Sequence, residues 1–159
     1  MKKITFLLLV LILGFCKANP VQMSLNNSPK EYLKEEIQIV FSKDIKLKWD
    51  IAKSRFVKDS YYENIKNNRE LIKKLFNSIT DTTDLKIKTD TKTNTLKKGD
   101  IAFLYLNEIG EIQLYKCLKI QFDILDKSRI PYGLLDYLET NRAEVAKTVK
   151  KCHQSKKGE

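Results

Sequence analysis

Leu33, Ile37, Val40 and Phe41 recur at spacings that put them on one face of a helix. Just ahead of them, Ser28-Pro29-Lys30-Glu31 has the composition of a capping box, with Ser28 as N-cap, Pro29 at the first helical position and Glu31 reaching back. The pattern predicts a helix over about 29–41. Residues 43–58 carry two patterns at once. Ile45, Leu47, Trp49 and Ile51 alternate as in a strand, whereas Ile45, Trp49, Ala52 and Phe56 are spaced 4-3-4 as in a helix. The helical pattern runs longer, so the expectation is helix over 43–79, bent or broken near Asp59. There Ser60 and Glu63 repeat the capping-box spacing. A third stripe follows at Tyr61, Ile65, Ile72, Phe76 and Ile79.

Thr80 to Thr95 is dominated by threonine, aspartate and lysine, with no glycine or proline. Leu85-Lys86-Ile87-Lys88-Thr89 alternates like a short edge strand with its lysines outward, and the rest reads as a mobile loop. Ile101 to Leu106 is a run of six apolar residues, long enough for a strand covered on both faces. Asn107 to Glu111 supplies a turn around Gly110, and Ile112 to Phe122 reads as the return strand of a hairpin over 100–122. Beyond Pro131 and Gly133, Leu135, Leu138, Val145, Val149 and Cys152 define a final helix over about 133–152. Helices around a small antiparallel sheet make the fold class α+β. The segments are a tether at 19–27, one domain over 28–153 and a basic tail at 154–159.

Composition narrows the chemistry. The chain has 159 residues, five glycines, three prolines, three cysteines and one histidine. That excludes low-complexity and disulfide-dense scaffolds, and it disfavours zinc sites and imidazole catalysis. No GxSxG, HExxH, P-loop or dinucleotide glycine motif is present. His153 follows Cys152 directly, and neighbours on a helix do not face one another, so the pair does not read as a catalytic dyad but as a tail histidine in solvent. Asp123 with Asp126 at the end of a strand, or Glu35 with Glu36 on a helix, are candidate carboxylate pairs for an acid–base enzyme, and sequence gives them no cleft. Asp81, Asp84 and Asp90 lack the spacing and the turn glycine of a calcium loop. No cofactor and no metal are expected, and the protein reads as a non-enzyme.

The N-terminus carries an address. Lys2 and Lys3 precede an uncharged, mostly apolar stretch from Ile4 to Phe15, the order of a signal peptide spanning residues 1–18. Leu13-Gly14-Phe15-Cys16 resembles the lipobox of bacterial lipoproteins, in the looser form found in spirochaetes. The resemblance implies removal of residues 1–15, lipidation of Cys16 and attachment to a membrane. Phe15 departs from the pattern, where a small residue is usual. The other route is cleavage after Ala18, giving a released protein. Either route places the chain in the cell envelope, on the outer surface or in the periplasm, and takes Cys16 out of the thiol pool. Cys117 and Cys152 remain as an even pair in an oxidising compartment. If the last helix packs on the Cys117 face of the return strand, the two are disulfide-bonded; two free thiols is the alternative.

Charge is the strongest functional signal. Lys and Arg number 30 against 20 acids, a net charge of +10. Lys43, Lys46, Lys48, Lys53, Arg55 and Lys58 surround Trp49 in sequence, and Lys147, Lys150, Lys151, Lys156 and Lys157 crowd the C-terminal end. Such clusters attract polyanions, although cations near a helix C-terminus also offset its dipole. An exported protein meets glycosaminoglycans, anionic lipids or wall polymers before nucleic acid, which is not an expected partner. The function that follows is an exported interaction protein binding a polyanion or host ligand through lysines. The alternatives are an envelope-assembly scaffold with a protein partner and, less favoured, a carboxylate enzyme. Trp49, Phe56, Tyr61, Tyr62 and Phe76 read as core, and Tyr132 and Tyr137 as surface.

Overall fold

Alternation wins over the helical spacing in the first third of the chain. In the computed structural model, which describes residues 36–121 and 130–155, Glu36–Val40 is a strand, β1, paired antiparallel with β2, Lys46–Asp50. The loop between them is closed by Phe41 N–H donating to the Ile45 carbonyl (2.9 Å) and Ile45 N–H donating to Ser42 Oγ (3.2 Å). Ile45, Leu47 and Trp49 each point into the core while Lys46 and Lys48 face out. The helices expected over 29–41 and 43–58 are therefore corrected to a hairpin wherever the chain is described. The seven-residue interval from Trp49 to Phe56, which suggested helix, is a second reversal. A turn at Ile51–Ser54 returns β3, Arg55–Phe56, alongside β2 with Trp49 opposite Phe56. Two hairpins reproduce a 4-3-4 spacing that a helix would also give. The Ser28 capping box, the signal segment with Cys16 and the tether lie outside the described residues, as do Asp123, Asp126 and the tail beyond Ser155.

Helices begin at the expected break. Asp59 caps α1, Ser60–Lys66, its carboxylate accepting from Tyr62 N–H (3.0 Å), so the cap lies one residue before Ser60. Asn68 caps α2, Arg69–Asn77, accepting from Glu70 N–H (3.0 Å) and Leu71 N–H (3.3 Å). A single 3-10 turn at Ser78–Thr80 follows. Ile65, Ile72, Phe76 and Ile79 are buried as the stripe required, but Tyr62 replaces Tyr61 on the inner face, and Tyr61 is 39% exposed.

The apolar run Ile101–Leu106 is not a strand. It is the middle of helix α3, Lys98–Glu108, in which every residue from Gly99 to Leu106 is buried. An apolar run of six fits either a two-faced strand or a helix surrounded on all sides. Here α2 and the 3-10 turn pack against it, and Tyr105 meets Phe56 and Tyr62 edge-on at 5.5 and 5.0 Å. With the Trp49–Phe56 pair at 4.9 Å, these contacts join sheet, α1 and α3 in one aromatic cluster. Each such pair adds about 0.5–1.5 kcal/mol beyond its buried area. Gly110 does take positive φ (81°), but it ends a helix rather than turning a hairpin. The expected return strand is α4, Leu114–Leu118, stopped by Lys119 in the left-handed region (φ 58°).

The last element is α5, Leu134–Ser155, interrupted at Asn141, whose side-chain amide donates to the Tyr137 carbonyl (3.0 Å). Its buried residues keep helical spacing from Leu134 through Leu138, Arg142, Val145 and Val149 to His153. The architecture is α+β, a three-stranded antiparallel sheet with helices, and the described residues all belong to one compact unit. Cys117 on α4 and Cys152 on α5 lie at disulfide distance, S–S 2.10 Å and Cα–Cα 5.5 Å. The pairing is the expected one, on a helix in place of a strand. Protein matured in an oxidising compartment should show no free thiol from these two cysteines when denatured without reductant. Reduction should lower unfolding stability by about 3–4 kcal/mol for a loop of this size. Two titratable thiols, or an unfolding midpoint indifferent to reductant, would contradict the bond.

Candidate anion-binding groove

Two clusters of charged side chains stand out, and their surroundings separate them. The first is buried. Asp100, at the third position of α3, is wholly inaccessible and accepts from the Lys97 backbone N–H (2.7 Å), tying off the helix start. Its Oδ2 also meets Lys92 Nζ (2.6 Å), and its Oδ1 meets Arg142 Nη2 (2.6 Å). Arg142 Nη1 donates to the Ile79 carbonyl (3.0 Å). Glu139 closes on the Lys92 ammonium as an ion pair and accepts from Asn94 Nδ2 (3.3 Å). Thr93 adds N–H and Oγ1 donors to Asp136 (both 3.0 Å).

The segment expected to be a mobile loop is thus fastened to α5. Its expected edge strand is reduced to isolated bridges, Asp84 with Lys97 and Thr89 with Lys92. Ile87 and Leu96 are buried beneath them. At its centre Lys92, Asp100 and Arg142 oppose one another out of reach of solvent, with Glu139 at the partly exposed rim, so the cluster holds structure together.

The second cluster lines an open groove of about 290 Å³ between α2 and the end of α5. Arg69, Glu70, Lys73 and Phe76 come from α2, and Lys150, His153 and Gln154 from α5. Positions 69, 73 and 76 are one face of a helix, set by the four- and three-residue spacing. Phe76 and His153 pack against each other, tilted by 37° with 4.5 Å between ring centroids, at the bottom of the groove. The imidazole is buried, not a tail histidine in solvent, and its Nδ1 pairs with Glu111 Oε2 (2.8 Å). Lys150 Nζ donates to Asn77 Oδ1 (2.8 Å), a neutral partner that leaves its charge uncompensated by that contact. Three cations therefore share the groove with one carboxylate, Glu70. Cys152 is bonded to Cys117, so no thiolate stands beside His153.

The lysines singled out in sequence separate in space. Lys150 lines the groove; Lys147 and Lys151 are exposed on α5 but do not line it. Around Trp49 the cluster dissolves, because the indole points into the core while Lys46 and Lys48 project from the other face of β2. Lys48 pairs with Asp59 (3.4 Å), Lys53 with Asp50 (3.0 Å) and Lys58 with Glu108 (3.8 Å). Lys46 lies 5.4 Å from the Tyr61 ring centroid, and Lys43 and Arg55 are exposed. Arg69 and Lys73 were missed in sequence, although their spacing to Phe76 is legible there. Tyr132 is 66% exposed, as its loop suggested, and Tyr137 is half-buried. Among the described residues no group of histidine, cysteine and carboxylate side chains could hold a metal, and no helix is long and apolar enough to cross a membrane.

Replacing the buried carboxylate, Asp100→Asn, should cost about 3–5 kcal/mol, because Lys92 and Arg142 lose their shared counter-charge in the interior. Denaturant unfolding measures it, and a loss below about 1 kcal/mol would mean that water reaches the cluster.

Titration works in the same direction at other carboxylates. Burial opposes ionisation of Asp50, but hydrogen bonds from Lys53 outweigh it and lower its pKa. Bonds from the Lys86 backbone and Thr95 lower that of Asp84, and the Lys92 ammonium lowers that of Glu139. Their contribution is complete above about pH 4.5 and lost as pH falls through their folded values. Burial, aided by the Glu108 charge, raises the Tyr62 phenol above its usual range, and burial raises Tyr105 as well. That contribution is complete below about pH 10 and lost as pH rises. Urea midpoints should therefore fall on both sides of this window; a midpoint rising on acidification would contradict the carboxylate geometry. Compared with known protein families, curated proteins and solved structures, the chain matches none.

Proposed function

We propose that this is a non-enzymatic, exported interaction protein of the cell envelope that binds a polyanion through the groove between α2 and α5. The export part of the reading rests on residues 1–16, where a charged start, an apolar stretch and Leu13-Gly14-Phe15-Cys16 fit passage across a membrane, followed by lipid attachment at Cys16 or release. The binding part rests on one observation: Arg69, Lys73 and Lys150 converge from two helices on a concave surface that holds a single acid. A cleft lined by one sign of charge concentrates its field, and nearby apolar walls weaken the screening. The sheet lysines compete poorly, since several are matched by acids within 4 Å.

Phe76 and His153, both buried, close the bottom of the groove, so that the anionic groups of a glycosaminoglycan or wall polymer would meet the three cations along its walls. Lys147 and Lys151 extend the positive surface along α5 and add long-range attraction. Heparin affinity measured at low and at physiological salt tests the reading. The wild-type protein should bind and weaken with salt. The variant Arg69→Gln/Lys73→Gln/Lys150→Gln should lose at least tenfold in affinity at low salt, and its salt slope should fall by about 2 to 3 if all three make ionic contacts. An unchanged slope would reject the groove. The same loss from Lys43→Gln/Lys46→Gln/Lys48→Gln would move the site to the sheet.

A further inference from the structure

Among the described residues, the sheet ends in a strand that is bonded on one side only. β1 pairs with β2, and among the described residues nothing pairs with its other edge. The ladder phase fixes which groups that edge presents. Phe41 N–H donates to Ile45, and bonded pairs alternate in an antiparallel ladder, so Ile39–Leu47 and Ile37–Trp49 are the bonded pairs of β1 with β2. The backbone N–H and C=O groups of Glu36, Gln38 and Val40 therefore point outward. The sequence Glu-Ile-Gln-Ile-Val has no proline, lysine or bulge to block pairing, and its one charge, Glu36, lies at the end of the strand. Ile37 is only half-buried, and Val40 is 43% exposed.

We propose that this edge is a self-association surface, on which β1 pairs antiparallel with β1 of a second copy about a two-fold axis at Gln38. The occupant follows from self-complementarity. Outward-facing residues must meet outward-facing residues. Centring on Gln38 sets Gln38 opposite its own counterpart and Glu36 opposite Val40 of the second copy, each bonded pair exchanging two N–H···O bonds. The same register sets Ile37 opposite Ile39 on the core face, so each half-buried Ile37 meets a buried Ile39 across the joint. On the other face, Lys46 lies opposite Val40 within its own sheet. Glu36 of the second copy then stands two strands from Lys46, about 9–10 Å between backbones, within the reach of two long side chains of opposite charge. A parallel or one-residue-shifted pairing loses this match. An edge of five residues makes a modest joint, so the dimer belongs to the concentration-dependent class.

Sedimentation of the protein as processed by an exporting host, at concentrations up to about 1 mM, tests the proposal. The weight-average mass should climb toward twice that of the protomer. Amide exchange at Gln38 and Val40 should slow at least tenfold over the same range. Gln38→Pro removes an outward N–H without touching a bond to β2, and Gln38→Lys sets like charges on the axis. Both should leave a monomer whose near-ultraviolet dichroism matches the wild type. The proposal is overturned by a wild-type protein that stays monomeric throughout, or by a dimer whose Gln38 and Val40 amides exchange as fast as in the monomer. A dimer that survives both substitutions overturns it as well, as does protection that appears only on adding an extended peptide. The outcome is independent of heparin binding, since the groove and the β1 edge share no residue.

Discussion

Asp100 is dry and surrounded by donors, and that constraint sets the position of most of the molecule. A carboxylate with no solvent access survives only if its oxygens are fully met. Here they are met by Lys92 from the threonine-rich segment, by Arg142 from α5 and by the backbone N–H that opens α3. One side chain thereby fixes three separate stretches of chain. The fit is tight enough to dictate the neighbouring residue. A Cβ on Gly99 would collide with the Ile79 and Asp81 carbonyls and the Arg142 guanidinium, so only glycine lets α3 start this close to the 3-10 turn. Buried ion clusters contribute little net stability against an apolar replacement. What this one does is select a single arrangement, since any slip of α3 or α5 leaves a charge unpaired.

With α3 held in place, the remaining contacts follow. Its buried residues face α1, α2 and the aromatic cluster of Trp49, Phe56 and Tyr62, and Tyr105 donates to the Tyr62 carbonyl (2.6 Å) to link α3 with α1. The other end of α5 has a separate anchor, the Cys117–Cys152 pair on α4 and the His153 ring against Phe76. A long helix interrupted at Asn141 could pivot there. Charge on one side of the break and a covalent link on the other leave it no freedom to do so.

The parts of this fold that were legible in the sequence are those whose signal is local. The last helix, the breaks at Asp59 and Gly110, the buried stripe of α2 and the pairing of the two cysteines depend on spacing, on caps or on parity. The parts that were misread depend on distant partners. Trp49 and Phe56 are seven residues apart in both a helix and a double hairpin, and only the presence of β1 and β3 decides for strand. Ile101–Leu106 is apolar on all sides, and whether that means strand or helix rests on what surrounds it. Lys92, in a segment of threonines and lysines, carried no mark of burial, because its partners are eight and forty-seven residues away. Of the groove, Lys150 was legible as part of a charge run, whereas Arg69 and Lys73 gained meaning only when α5 was laid beside α2.

The distribution of positive charge then separates cations that serve structure from those left for a ligand. Lys92 and Arg142 are consumed by Asp100 and Glu139, and Lys48, Lys53 and Lys58 by Asp59, Asp50 and Glu108. Exposed pairs of the second kind are worth less than about 1 kcal/mol each, yet each is close to neutral for a distant anion. Along the groove the arithmetic differs. Arg69 opens α2, at the positive end of the helix dipole, and Lys73 follows one turn later. Lys150 leans on a neutral amide, and the His153 ring is held in place by Glu111. A net charge of +10 alone would make the whole surface weakly attractive. Local pairing removes part of that charge from the sheet, whereas Arg69, Lys73 and Lys150 keep theirs on a concave wall between α2 and α5, which is what the proposed polyanion site rests on.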